Sequence, residues 1–191
     1  MIEIISYFLM IIILAFITGV IVKVADYLED TKKEKNKQNL IFIGIVYGLL
    51  IFLMAYYFPI IAPLWIGTVL GLILFGKIDK IAHRTATTLA ILLTLIFLPQ
   101  AIGFLLIFFV IINIFEELVN DYFDKHKLKN TKIQSFVISR PLLEISALAI
   151  SFIFWQWEIF ISIFVFDIGY LLITKYENKK ILLHKKSNKK K

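Results

Sequence analysis

The sequence predicts an all-α, polytopic membrane bundle of seven transmembrane helices, with the N-terminus outside and the C-terminus in the cytoplasm. Three observations predict it. Of the 191 residues, 60% are hydrophobic, well above the roughly 45–50% of a soluble domain. The excess is gathered into runs of roughly 15–22 residues, the length that crosses a hydrocarbon core of about 30 Å as a helix. All 21 Lys and Arg residues fall in alternate segments between those runs.

The runs lie near 3–24, 40–57, 60–76, 81–98, 101–118, 141–156 and 158–174. Helices are expected because a backbone in lipid must satisfy its polar groups within the segment, and the alternation of a β-barrel is absent. The first run is long, ends in acidic residues and lacks a basic start and a small-residue cleavage site. It therefore reads as a retained helix, not a signal peptide. Pro59 and Pro63 bracket the turn between the second and third runs, and Pro99 marks the turn between the fourth and fifth. Pro141 opens the sixth at a first helical position. Trp155-Gln156-Trp157-Glu158 joins the last two runs, and its tryptophans suit an interfacial aromatic belt. Fusing those two runs into one helix would leave Glu158 in mid-membrane and put the basic tail outside.

The basic segments run from Lys23 to Lys37, Lys77 to Arg84, Lys125 to Arg140 and Lys175 to Lys191. The positive-inside rule places all four in the cytoplasm, which makes a multi-pass protein of the cell membrane. The net charge of +7 then reads as topology and attraction of the bilayer's anionic headgroups, not as nucleic-acid binding. Residues 1–176 are expected to form the bundle and residues 177–191 a disordered basic tail. Cysteine is absent, which excludes disulfides, thiolate zinc sites and cysteine nucleophiles. There is no soluble catalytic domain and no nucleotide-binding loop. Gly44-x-x-x-Gly48 and Gly67-x-x-x-Gly71 are expected to face each other across the short turn between the second and third spans, because small residues let helix backbones approach closely.

The fourteen acidic residues point toward chemistry. Only Glu3 and Glu158 lie on the outer side, and carboxylates do not determine topology. The others gather near the cytoplasmic helix ends, several on helical stripes: Lys23, Asp26 and Asp30; Asp79, His83 and Thr87; Asn113, Glu117, Asn120, Asp121 and Asp124; Arg140, Glu144 and Ser151; Asp167, Tyr170 and Thr174. Spacings of three and four put each set on one face. A polar stripe on a membrane helix faces the bundle interior or a wet cavity, so the stripes are expected to converge on one acidic cavity. Asp26, Asp30, Glu117 and Asp121 are the candidate ligands for Mg²⁺, a hard cation that takes oxygen donors. Lys23, Asn113 and Arg140 are the candidate substrate contacts, and His83, Glu144 and Asp167 the candidate catalytic groups. Asp167 lies roughly 10 Å inside its helix. A carboxylate at that depth costs roughly 2.5 kcal/mol or more unless paired or hydrated. Structural roles compete: an Arg140–Glu144 ion pair, a hydrogen bond from Asp167 to a neighbouring Tyr or Ser, and Asp79 capping the fourth span or charging the His83 imidazole.

Asp26-x-x-x-Asp30 at a cytoplasmic helix end resembles the intramembrane prenyltransferases of the UbiA type, whose aspartates hold a diphosphate through Mg²⁺. Val22 stands where that family's first motif has Asn, and Asn113-x-x-x-Glu117-x-x-x-Asp121 repeats the spacing with Glu in the middle. The chain is assigned to no family on these grounds. The leading expectation is a divalent-metal-dependent enzyme, a transferase or hydrolase of lipid metabolism, acting on a phosphate- or diphosphate-bearing lipid at the cytoplasmic leaflet. The alternatives are a cation- or proton-coupled transporter and a structural or accessory membrane subunit.

Overall fold

The computed structural model describes residues 2–30, 37–76, 78, 80–97, 99–126 and 141–188. Each apolar run forms one helix: α1 (Ile2–Asp30), α2 (Lys37–Tyr57), α3 (Ala62–Phe75), α4 (Ile81–Phe97), α5 (Gly103–His126), α6 (Pro141–Phe154) and α7 (Trp157–Asn188). The ends follow local chemistry. Pro63 sits in the first turn of α3, where its missing N–H is no loss. Gly76 closes α3 in the left-handed conformation, φ 74°, with its N–H on the Leu72 and Ile73 carbonyls. Trp155 is also left-handed, φ 57°, and breaks the chain between α6 and α7. Ser151 ties that turn, accepting from Gln156 N–H at its carbonyl (3.2 Å) and from Phe160 N–H at its hydroxyl (3.1 Å). Helices α6 and α7 are therefore separate elements. Three helices outrun their apolar segments: α1 continues past residue 24 to Asp30, α5 continues through its acidic end to His126, and α7 remains helical to Asn188, well into the stretch expected to be disordered.

Four helices, α1, α2, α5 and α7, contain segments long and apolar enough to cross a membrane, and α3, α4 and α6 are shorter apolar helices. Large apolar side chains point outward, among them Leu74 (69% exposed), Ile96 (68%) and Ile153 (67%). Water-soluble proteins rarely expose contiguous apolar surface on this scale. Inside, one core cluster takes a residue from every helix: Ile11, Tyr47, Leu64, Ala82, Phe109, Leu143 and Ile159. The chain is thus a single packed unit.

The tightest packing joins three pairs of helices, α1 with α7, α2 with α4 and α3 with α5, each at glycines. A Cβ on Gly44 would come within 2.5 Å of the Ala82 carbonyl oxygen, and one on Gly48 within 2.7 Å of that of Ala86. A Cβ on Gly67 would meet Phe109 Cβ at 2.9 Å, and one on Gly71 would meet Asn113 Cβ at 2.7 Å. On α1 and α7, Gly19 abuts the Phe166 carbonyl and Gly169 the Phe16 carbonyl. The glycine motifs of α2 and α3 therefore do not face each other, contrary to the sequence expectation. Gly44 and Gly48 instead meet Ala82 and Ala86, a small-residue pair at the same spacing, so two smooth surfaces close together. Gly67 and Gly71 receive the larger residues of α5.

Gly48→Val should force α2 and α4 apart. A loss of about 1–3 kcal/mol is expected, the range for overpacking a tight interior. Gly103→Ala, where a Cβ meets nothing within 4 Å, should stay within about 0.5 kcal/mol of the parent. Thermal unfolding of the two variants in detergent checks both.

Candidate functional site

The seams set the polar groups. Because Gly44 and Gly48 sit on Ala82 and Ala86, Tyr47 and His83 fall side by side between the two contacts. Tyr47 Oη and His83 Nδ1 are 2.7 Å apart. Across the bundle His83 Nε2 lies 2.8 Å from Asp26 Oδ1 on α1, and Tyr170 of α7 donates its hydroxyl to Asp26 Oδ2 at 2.7 Å. A carboxylate only accepts, so Asp26 fixes a hydrogen on His83 Nε2. In the neutral imidazole Tyr47 donates to Nδ1; in the imidazolium Nδ1 donates to Tyr47. The result is a continuous chain, Tyr47–His83–Asp26–Tyr170, that crosses α2, α4, α1 and α7.

Three further groups surround it. The Lys80 ammonium lies 2.8 Å from Asp30 Oδ1 and 3.5 Å from Asp26 Oδ1, so it bridges the two aspartates that the sequence pairs on one cation. Lys23 stands 4.8 Å above the Tyr170 ring and 3.5 Å from its hydroxyl. Glu29 Oε1 accepts the Ala82 backbone N–H at 3.0 Å. That N–H belongs to the first turn of α4, where helices leave donors without intrahelical partners.

A second group lies on α3, α5 and α6. Asn113 is fully buried, pressed on Gly71, and neither of its amide atoms has a hydrogen-bond partner. Glu116 (2% exposed) and Glu117 (4%) follow at one helical turn. Glu116 Oε1 accepts the backbone N–H of Leu142, in the first turn of α6, at 3.0 Å. Glu29 and Glu116 are thus the same device used twice, a carboxylate from one helix completing the start of another. Asn120 Oδ1 and Thr68 Oγ1 are also buried without a hydrogen-bond partner. An unsatisfied buried amide costs roughly 1–3 kcal/mol. Among the described residues, the Asn113 face therefore has the most to gain from a ligand.

The structure sorts the sequence-derived candidates accordingly. Lys23, Asp26, Asp30 and His83 come together. Asn113 and Glu117 share the α5 face, with Asp121 half-buried one turn beyond. Glu144 is half-buried in the first turn of α6. Asp167 is half-buried on α7, one turn before Tyr170. Arg140, Asp79 and the Asp124 side chain lie outside the described residues. Among the described residues, no group of three or more His, Asp or Glu side chains could hold a metal ion by itself. Sequence reasoning overlooked Tyr47, whose available signal was its position inside Gly44-x-x-x-Gly48. It also assigned Glu29 and Lys80 no site role. No protein-family model, curated protein or solved structure matches the chain.

Two measurements test this network. Asp26→Asn and His83→Gln should be non-additive, with a coupling of about 0.5–3 kcal/mol between directly bonded groups. Asp26→Asn and Glu116→Gln should add. Lys80 supplies the pH dependence. Burial alone would lower its pKa, but the hydrogen bond to Asp30 and the charges of Asp26 and Asp30 raise it above 10.5. A raised folded-state value means that its contribution is complete below the ordinary lysine range and is lost as pH climbs through the folded value. The thermal midpoint should therefore fall above pH 10.5, and Lys80→Met should show a shallower fall.

Proposed function

We propose that the chain is a seven-span protein of the cell membrane, N-terminus outside and C-terminus cytoplasmic, that acts as a divalent-metal-dependent enzyme on a phosphate- or diphosphate-bearing lipid at the inner leaflet. The topology is supported by seven helices sharing one core, by their outward apolar faces, and by the confinement of every Lys and Arg to one set of helix ends. The single observation that carries the functional reading is the fully buried Asn113 amide, unsatisfied at both atoms, with Glu116 and Glu117 one turn away. Mg²⁺ commonly takes only one or two protein carboxylates and completes its octahedron with waters and substrate phosphates. The α5 face fits such an ion without a group of three carboxylates.

In this reading Glu117 and Asp121 hold the cation. Asn113 supplies an amide to orient the phosphate, and Arg140, outside the described residues, is the candidate to neutralise phosphate charge. Glu116 acts through α6: by holding Leu142 N–H it fixes where that helix begins. When bound, the metal would neutralise phosphate charge as it develops. Asp26 and Asp30 leave the metal set, because the Lys80 ammonium already bridges them. A second reading, a proton-coupled transporter, is favoured by the Tyr47–His83–Asp26–Tyr170 chain, a hydrogen-bonded series of titratable groups that joins four helices.

The test is Mn²⁺ and Mg²⁺ titration of the purified full-length chain, followed by electron paramagnetic resonance for Mn²⁺ and by thermal shift for Mg²⁺, together with turnover of a lipid extract with and without EDTA. Glu117→Gln with Asp121→Asn should weaken metal affinity by about tenfold or more, at least the effect of removing an outer-shell partner, and turnover should stop in EDTA. Equal metal affinity in parent and variant removes the α5 site. Proton flux into liposomes that is lost in His83→Gln, with no metal binding, would install the second reading instead.

A further inference from the structure

Helices α3 and α5 carry four side chains with buried polar atoms that have no hydrogen-bond partner. They are Trp65 Nε1 and Thr68 Oγ1 on α3, and both amide atoms of Asn113 and Oδ1 of Asn120 on α5. Trp65 and Thr68 are one turn apart and Asn113 and Asn120 two turns apart, so each pair shares a helical face. The helices run in the same direction, because Gly67 meets Phe109 and Gly71 meets Asn113. Trp65, Thr68, Asn113 and Asn120 therefore follow one another along the pair over about 20 Å. The Trp65 ring lies 5.3 Å from that of Phe166 on α7, which turns its face toward the bundle interior. The two ends of this column differ. Beyond Trp65, toward the start of α3, the core is apolar: Phe58, Ile61, Leu64 and Leu105 are all buried. At the other end Asn120 and Asp121 are half-buried, where the bundle gives way to the polar end of α5.

The chemistry of these atoms selects their ligand. An indole N–H only donates, an amide oxygen only accepts, and a hydroxyl or a whole amide does both. A cation would satisfy the oxygens and leave the N–H groups of Trp65 and Asn113 unmet. An anion would do the reverse. Water serves both, and buried polar groups without a protein partner are ordinarily met by ordered water. We infer that a file of waters enters beside Asn120 and runs along α3 and α5 to Trp65. It is a half-channel, closed at its apolar end. Glu116 and Glu117 stand on α5 between Asn113 and Asn120, so the file gives these buried carboxylates a route for proton exchange with the solution. Each water passes one proton on and receives another, and none is consumed. The file goes beyond the enzyme reading and outlasts its failure. Mg²⁺ on Glu117 and Asp121 would keep several waters of its own, but the file needs no ion.

Hydroxyl-radical footprinting by X-ray radiolysis of the full-length chain in nanodiscs tests the inference, because the radicals form from water and label the side chains it touches. Trp65 is 3% exposed, and Phe58 and Leu105 are 2%. After correction for intrinsic reactivity, Trp65 should nevertheless take label several-fold faster than Phe58 and Leu105. Asn113→Leu and, separately, Thr68→Val should each slow labelling of Trp65 roughly three- to tenfold, the weight of one lost hydrogen bond on a water's occupancy. Gly103→Ala, away from the column, should leave it unchanged. Protection of Trp65 equal to that of Phe58 and Leu105 overturns the inference, as does labelling that persists in both variants. Thermal unfolding supplies an independent reading. A midpoint that rises in Asn113→Leu would mark an amide with no ligand to lose, and it too overturns the file.

Discussion

Helix partners in this bundle are chosen by how closely two backbones can approach. Its outer faces are as apolar as its core, so burying a leucine distinguishes poorly between one neighbour and another. Close approach does distinguish. At Gly44, Gly48, Gly19 and Gly169 an added Cβ would run into the carbonyl oxygen of the partner helix, which leaves no room for a larger residue. Each seam also positions polar side chains within about two turns of it. The α2/α4 contact sets Tyr47 against His83. The α1/α7 crossing brings Lys23 and Asp26 to Tyr170, and Gly71 receives Asn113. Backbone geometry thus decides where the chemistry is found.

The acids at the basic end acquire a physical reason from the same geometry. Glu29 and Glu116 complete the first turns of α4 and α6, where backbone N–H groups lack partners and the helix dipole favours negative charge. Helix α4 begins beside the end of α1 and α6 beside the second half of α5, so a carboxylate from the earlier helix reaches each start directly. Asp26 gathers an imidazole and an ammonium from the start of α4 and a phenol from α7. Among the described residues, Asp26, Glu29 and Glu116 at this end cross-link elements distant in sequence.

Much of the fold was legible in the sequence because apolar runs and prolines act locally. Pro141 marks the first residue of α6, and Pro63 falls in the first turn of α3. What was not legible was partnership. Gly44-x-x-x-Gly48 announces a close contact but not with whom. Proximity in the chain suggested α3, whereas Ala82 and Ala86, themselves four apart, were the complementary surface. Gly19 and Gly169 carry no motif at all, since each meets the other helix singly. The same blindness to partnership explains the site. Asp26 and His83 were both singled out, but the sequence paired His83 with the nearby Asp79 and Asp26 with Asp30, because a stripe reports one helix at a time. Tyr47 escaped notice inside an apolar run that gives no hint of the histidine opposite.

The two polar groups differ in what a foreign ligand could gain from them, and that difference orders the functional readings. Asp26 already accepts from His83, Tyr170 and Lys80, so an incoming cation would have to displace the Lys80 ammonium and break hydrogen bonds of 2.7 and 2.8 Å. The gain would be offset by the loss of the ammonium and of those hydrogen bonds. Asn113 begins from the opposite condition. It is buried, both amide atoms lack a hydrogen bond, and a ligand that satisfies it recovers a cost the folded chain already bears. Carboxylates at 2% and 4% exposure stand beside it, which is why the proposed enzyme reading places its cation on α5. The charged network around Asp26 is thus the better brace, and the α5 face the better candidate for a ligand.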